Sequence, residues 1–259
     1  MTKQTKTILV TLLAFTVYFI IDETYFKTLR TWFNGYVQQL GVSHILAYAV
    51  VGIPVLAGLW LLHGRGKIAE SLGLSRSLIR GILFALLCTL PMFLGYAILF
   101  DFNSELSLNT FLISVIAAAF FEELYFRGFL FGQIYRYTGW GFLPSVLLGA
   151  VLFGLIHLSQ GAGLGELTGI FLVTFLGGIL YAWVFVEWNY NLWVPIFLHL
   201  FMNLAWAVFS AGDNALGGVY ANVFRVITIA MIIVLTLIYN KRNNLKTEVN
   251  RRTVWMKKE

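Results

Sequence analysis

Eight apolar stretches alternate with short polar interruptions along the chain: Ile8 to Ile21, Ile45 to Leu62, Gly81 to Phe100, Thr110 to Phe131, Phe142 to His157, Leu167 to Val186, Leu192 to Phe209 and Val223 to Tyr239. At about 20 residues per bilayer crossing they use most of the length and leave only short loops. Backbone groups in lipid must find their hydrogen bonds within the segment, so each stretch predicts a helix. The pattern predicts an all-α, polytopic membrane protein of about eight transmembrane helices. Pro54, Pro91, Pro144 and Pro195 fall inside or at the starts of spans, where a kink or a first-turn position is tolerated.

Composition sharpens this. Of 259 residues, 59% are hydrophobic and 12% charged, against about 25% charged in soluble domains, which excludes a water-soluble globule. The formal charge of +6 comes largely from a C-terminal run, Lys241 through Arg251, Arg252, Lys257 and Lys258. No aromatic-basic platform accompanies it, so nucleic acid is not an expected partner and the run reads as a basic tail (241–259) beside an anionic leaflet. Ile8 to Ile21 follows Lys3 and Lys6 as a signal-peptide core would. It lacks a small-residue cleavage pattern, however, and Asp22 and Glu23 follow directly, so it is expected to stay as the first helix. Lys3, Lys6, Arg65, Lys67, Arg76, Arg80, Arg136 and the tail all fall on one side if the spans alternate, which predicts cytoplasmic N- and C-termini. Gly128-x-x-x-Gly132 and Gly165-x-x-x-Gly169 have the spacing of closely packed helices. Cys88 is the only cysteine, which excludes an intrachain disulfide.

Charged groups at membrane depth cost at least a few kcal/mol each, so they are expected to face a protein interior or a hydrated cavity. The fourth span holds Glu122, Glu123 and Arg127 in otherwise apolar sequence. Glu123 and Arg127, four residues apart with the acid first, are placed to pair. Glu122 is rotated about 100° away and has no partner on its own helix. A carboxylate in low dielectric gains basicity and suits a general base. The fifth span ends at His157, and the seventh carries His199 and Asn203 one turn apart on one face. All lie at depths from which three helices can bring them together. His44 and His63 read as solvated or interfacial, and Glu166 and Glu187 as boundary charges, with Glu166 placed to line an entrance.

Glu122-Glu123-x-x-x-Arg127, Phe153-x-x-x-His157 and His199-x-x-x-Asn203 together resemble the CPBP intramembrane proteases, the family of CAAX proteases and bacteriocin-processing enzymes also called Abi. The resemblance covers about Ala117 to Leu204. It implies an intramembrane endopeptidase with its catalytic core in the later helices (106–240), preceded by about three further helices (1–105). The substrate would be a membrane-associated protein or peptide in the lipid bilayer. It also implies that Glu122 activates a water with help from His157. His199 and Asn203 would stabilise the oxyanion, while Glu123 and Arg127 position the site. Two His and one carboxylate would also satisfy a catalytic zinc, with Glu122, His157 and His199 as candidate ligands. The His-Glu-x-x-His helix of zinc proteases is absent, no cofactor is firmly expected, and both versions stay open. Two other classes compete with the enzyme: a transporter using the same groups as a proton relay, and an immunity or scaffold protein without catalysis. Oligomeric state is not legible.

Overall fold

The computed structural model describes residues 1–257; Lys258 of the basic run lies outside them. Among the described residues there is no strand element, only an isolated antiparallel bridge between Trp140 and Met256. Nine longer helices carry the fold: α1 (Lys3–Val37), α2 (Leu40–Val51), α3 (Ile53–His63), α4 (Leu78–Leu99), α5 (Leu108–Tyr137), α6 (Phe142–Ile156), α7 (Leu164–Glu187), α8 (Trp193–Val208) and α9 (Val219–Arg242).

Six of them are long and apolar enough to cross a membrane, and a seventh crossing forms if α2 and α3, bent by 40°, are one broken span. The break is local chemistry. Pro54 sits in the first turn of α3, where its missing N–H and its ring end the preceding helix. The seventh expected span, α8, has 16 residues and is about 24 Å long at 1.5 Å per residue. At the other extreme α1 runs for 35 residues, past the expected end at Ile21, and outreaches the hydrocarbon core of about 30 Å.

Within α5 the stretch Phe111–Phe131 is wound as a π-helix, and the Gly132 amide donates to the Arg127 carbonyl five residues back. Such winding is rare and often sits at functional sites. From Glu123 to Tyr135 every residue of α5 is buried. Phe129, Leu130, Phe131 and Ile134 there pack with Phe142, Phe185 and Leu192 from α6, α7 and the start of α8. In lipid this packing stabilises through close contact rather than transfer from water. Gly128 permits it: a Cβ there would meet a Leu192 methyl at 2.9 Å. In the second small-residue spacing only Gly169 is closely packed: a Cβ there would meet a Leu216 methyl at 2.7 Å, whereas one on Gly165 would meet nothing within 4 Å.

Contacts sort the helix ends into two faces. At one, the Gly139 amide donates to Gln4 Oε1 at 3.2 Å, Lys6 Nζ to the Leu61 carbonyl at 3.1 Å, and His63 Nε2 lies 2.6 Å from Gln133 Oε1. At the other, Gln39 Nε2 donates to Asn109 Oδ1 at 2.8 Å, Asn103 Nδ2 to the Ala207 carbonyl at 2.9 Å, and Asn214 Nδ2 to Glu166 Oε1 at 2.6 Å.

The C-terminal segment corrects the expectation of a simple tail. After α9 it turns back across the first face and docks on the bundle. The amides of Gly141, Phe142 and Leu143, which open α6, donate to the carbonyls of Trp255, Thr253 and Val254 at 2.9, 2.8 and 2.8 Å. α6 has no side-chain cap, so the segment satisfies amides that a helix start leaves bare. Glu187 is likewise no boundary charge. It is 5% exposed and accepts from Asn240 Nδ2 and from the amides of Glu248 and Val249 at 2.8, 3.2 and 3.0 Å. His44, expected to be interfacial, is buried, with its ring edge-on to Phe26 at 4.8 Å.

Candidate active site

The buried ionisable groups meet on three helices. Glu123 on α5 is wholly buried, and its Oε1 receives two partners: Arg127 Nη1 at 3.2 Å, and the Nδ1–H of His199 on α8 at 2.9 Å. The pair expected on α5 therefore forms despite the π winding, and it is joined by the imidazole of His199, expected from the resemblance as an oxyanion donor beside Asn203. Because a carboxylate only accepts, the proton of a neutral His199 lies on Nδ1 and its Nε2 carries a lone pair. Protonated, the ring donates from both nitrogens, and Glu123 offsets the added charge.

His157 follows the last turn of α6. Its Nδ1–H donates to the Phe153 carbonyl at 2.7 Å, which again leaves a lone pair on Nε2. The Phe-x-x-x-His spacing thus fixes one tautomer through an i,i−4 bond. Its phenylalanine has a second role: the Arg127 guanidinium lies 4.2 Å over the Phe153 ring, and that ring is 4.5 Å from the His157 ring. Asn203, one turn beyond His199, donates through Nδ2 to the Ser114 carbonyl on α5 at 2.9 Å. One amide N–H and the side-chain carbonyl are left to other partners.

Glu122 is half-buried, and among the described residues it takes part in no hydrogen bond or ion pair. It lies within electrostatic reach of Tyr181 on one side and of Asp22 and Tyr48 on the other. Glu123, Arg127 and His199 are thus in direct contact, and His157 joins them through Phe153. Glu122 bonds to neither imidazole. Among the described residues no group of three or more His, Cys, Asp or Glu is placed to hold a metal ion. Glu122, His157 and His199 do not come together as a ligand trio.

Tyr181 on α7 carries no motif and was missed from the sequence. Its ring lies 5.7 Å from the Arg127 guanidinium, on which Phe153 also packs, and 5.6 Å from the His199 ring at 34°. Phe153 and Tyr181 each tie the guanidinium to one of the two imidazoles. The signal was present but faint: an apolar helix whose tyrosine stands one turn beyond a glycine pair, Gly177-Gly178. Among the described residues the Tyr181 hydroxyl has only Met202 Sδ as partner, at 3.2 Å. Tyr181→Ala is therefore expected to cost about 3 to 5 kcal/mol, as aromatic truncations in cores do, and Tyr181→Phe only about 1. Thermal unfolding in detergent micelles checks both, and equal losses would contradict a role carried by the ring.

Comparison with known proteins bears on the same segment. Residues 103–205 match the family model described as type II CAAX prenyl endopeptidase Rce1-like. A Bacillus subtilis (strain 168) protein named "Putative membrane peptidase YdiL" is 33% identical over 92 residues, which are 36% of this chain and 33% of that one. The chain thus covers about a third of the length of that curated relative. No solved structure matches. The resemblance drawn from the three motifs holds over the segment that contains them, and helices α1 to α4 and α9 lie outside it.

Proposed function

We infer that a chain whose residues 103–205 carry the type II CAAX prenyl endopeptidase pattern is an endopeptidase that cleaves a membrane-associated protein or peptide at or within the bilayer. The observation that carries this is an asymmetry between adjacent carboxylates. Glu123 is locked by Arg127 and His199, whereas half-buried Glu122 beside it makes no hydrogen bond or ion pair among the described residues.

In this reading Glu122 takes a proton from water, with the Nε2 lone pair of His157 as second acceptor, and the hydroxide oxygen bonds to the scissile carbonyl carbon. His199, as an imidazolium balanced by Glu123, and the remaining N–H of Asn203 donate to the oxyanion. Collapse breaks the C–N bond, and the proton held by Glu122 passes to the leaving amine. General-base assistance is worth about 10² to 10⁴ in rate, and one oxyanion donor about 10² to 10³.

The test is the full chain, reconstituted with a membrane-peptide library. Glu122→Gln is expected to lower cleavage by about 10² to 10⁴ while unfolding stays unchanged, because Glu122 makes no bond to lose. His157→Ala is expected to fall similarly in rate. Full cleavage by Glu122→Gln contradicts the reading, and cleavage lost to a chelator and regained with zinc would assign water activation to a metal instead.

A further inference from the structure

The four helices that hold the site share a gradient of burial. On α5, everything from Glu123 to Tyr135 is buried, whereas Leu112 to Ser114 are half-buried or exposed, and exposed or half-buried positions alternate with buried ones from Ser114 to Glu122. On α8, Val194 to Ile196 are buried and His199 to Leu204 are half-buried. α7 is exposed over Leu164 and Gly165 and buried from Val184 to Glu187, and α6 runs from buried Phe142 to half-buried His157 and exposed Ser159. In each case the closed end lies at the face where the C-terminal segment docks, and the open end lies at the face of the Asn103, Asn109 and Asn214 contacts.

The site residues follow the same gradient. Arg127 and Glu123, on the closed side, are 3% and 0% exposed; His199 is 11% exposed, and His157 and Asn203, nearest the open face, are half-buried. A plug of aromatic and aliphatic side chains shuts the site off from the docked segment.

Charge divides between the same two faces. Arg65, Lys67, Arg76, Arg136, Lys241, Arg242 and Arg251 belong to the closed face, against Glu70 and the internally bonded Glu187 and Glu248. The open face carries Asp101, Glu105 and Asp213 in its loops and Glu166 in the first turn of α7, with Lys27 and Arg30 on the overhanging end of α1. Short loops rich in Lys and Arg stay in the cytoplasm.

From burial and charge together, we propose that the catalytic mouth opens in the non-cytoplasmic half of the membrane, so that its substrates are peptide segments reached from the outer face, such as exported or outward-facing membrane peptides. This rests on the protease reading for its substrate, but the direction of the mouth does not.

Labelling with a membrane-impermeant maleimide tests it in the full chain, with buried Cys88 left in place as background. Ser159→Cys, exposed two residues past His157, and Asn203→Cys, in the mouth, are each expected to react in intact spheroplasts as completely as in lysed membranes. Arg251→Cys is expected to react only after lysis. Reaction of Arg251→Cys in intact spheroplasts, with Ser159→Cys silent, overturns the orientation. Ser159→Cys reactive with Asn203→Cys silent, in protein that elutes as a single folded species, overturns the mouth. None of these outcomes depends on cleavage, so failure of the protease reading shows separately, as undiminished cleavage by Glu122→Gln.

Discussion

Glu123→Gln is expected to abolish cleavage and to lower stability by about 3 to 5 kcal/mol, the usual cost of removing one member of a buried ion pair. The physical reason is the neighbour left behind. Arg127 is 3% exposed and its guanidinium has no other hydrogen-bond acceptor among the described residues, so the substitution strands a full positive charge in a low-dielectric interior. The aromatic faces of Phe153 and Tyr181 recover only about 0.5 to 2 kcal/mol of that. His199 simultaneously loses the carboxylate that makes its protonated form affordable. Replacing both partners, Glu123→Leu with Arg127→Met, removes the stranded charge and is expected to restore most of the stability, because a buried pair exchanged for packed apolar groups is close to neutral. Cleavage stays lost. Chemical denaturation in micelles, run beside the peptide assay on the same three proteins, separates the two effects. A stable Glu123→Gln, or a double variant no better than the single, would show that the pair does not hold the site together.

The placement of these groups was legible because the bilayer makes every ionisable residue conspicuous. Against an apolar background, Glu122, Glu123, Arg127, His157, His199 and Asn203 stand out by position alone, and the i,i+4 spacings of Glu123 with Arg127 and Phe153 with His157 map directly onto a salt bridge and a side-chain to backbone hydrogen bond. The partner of His199 was not legible. Adjacent carboxylates diverge around a helix by a turn angle that sequence gives, but which of them faces α8 depends on how α5 is wound and rolled, and the π winding of Phe111–Phe131 is invisible to hydropathy.

Errors gathered where a polar residue near a span boundary was taken as wet. Glu187 and His44 sit close to helix ends, where charge normally meets water, yet both are covered by chain that hydropathy places elsewhere: Glu187 by the C-terminal segment, His44 by Phe26 on the overhanging part of α1. A basic composition also disguised that segment. Lys241 to Lys257 reads as a solvated tail because charge is counted residue by residue, whereas the docking is made mostly by backbone amides and carbonyls, which carry no sequence signature at all.

Removal of that segment after Arg242 is expected to be the other large effect, a loss of several kcal/mol of stability in a chain that keeps every motif residue. Three amides at the start of α6 lose their acceptors, Glu248 is lost as acceptor for the hydroxyls of half-buried Tyr190 and buried Tyr135, and Glu187 loses both backbone donors. Hydrogen bonds to a charged group contribute about 1.5 to 3 kcal/mol each and neutral ones about 1. Burial, reinforced by the nearby Glu248 carboxylate, holds the Tyr190 phenol protonated well above its usual range, so it remains a donor in need of an acceptor. The size of one further substitution's effect, with and without the segment, distinguishes a strap from a passive tail. Glu187→Leu should destabilise the full chain, because it leaves the amides of Glu248 and Val249 and the Asn240 side chain without an acceptor. The same change should cost little in the truncated chain, because there the carboxylate has lost its cover and both backbone donors and is solvated beside Asn240. Gly141→Ala gives the same answer without deletion: its Cβ would stand 2.2 Å from the Trp255 backbone, which cannot yield as a side chain would, so the strap should detach while the site sequence is untouched. Unfolding midpoints for these four proteins decide it, and a Glu187→Leu effect of the same size in full and truncated chains would show that the segment rests on the bundle without holding it.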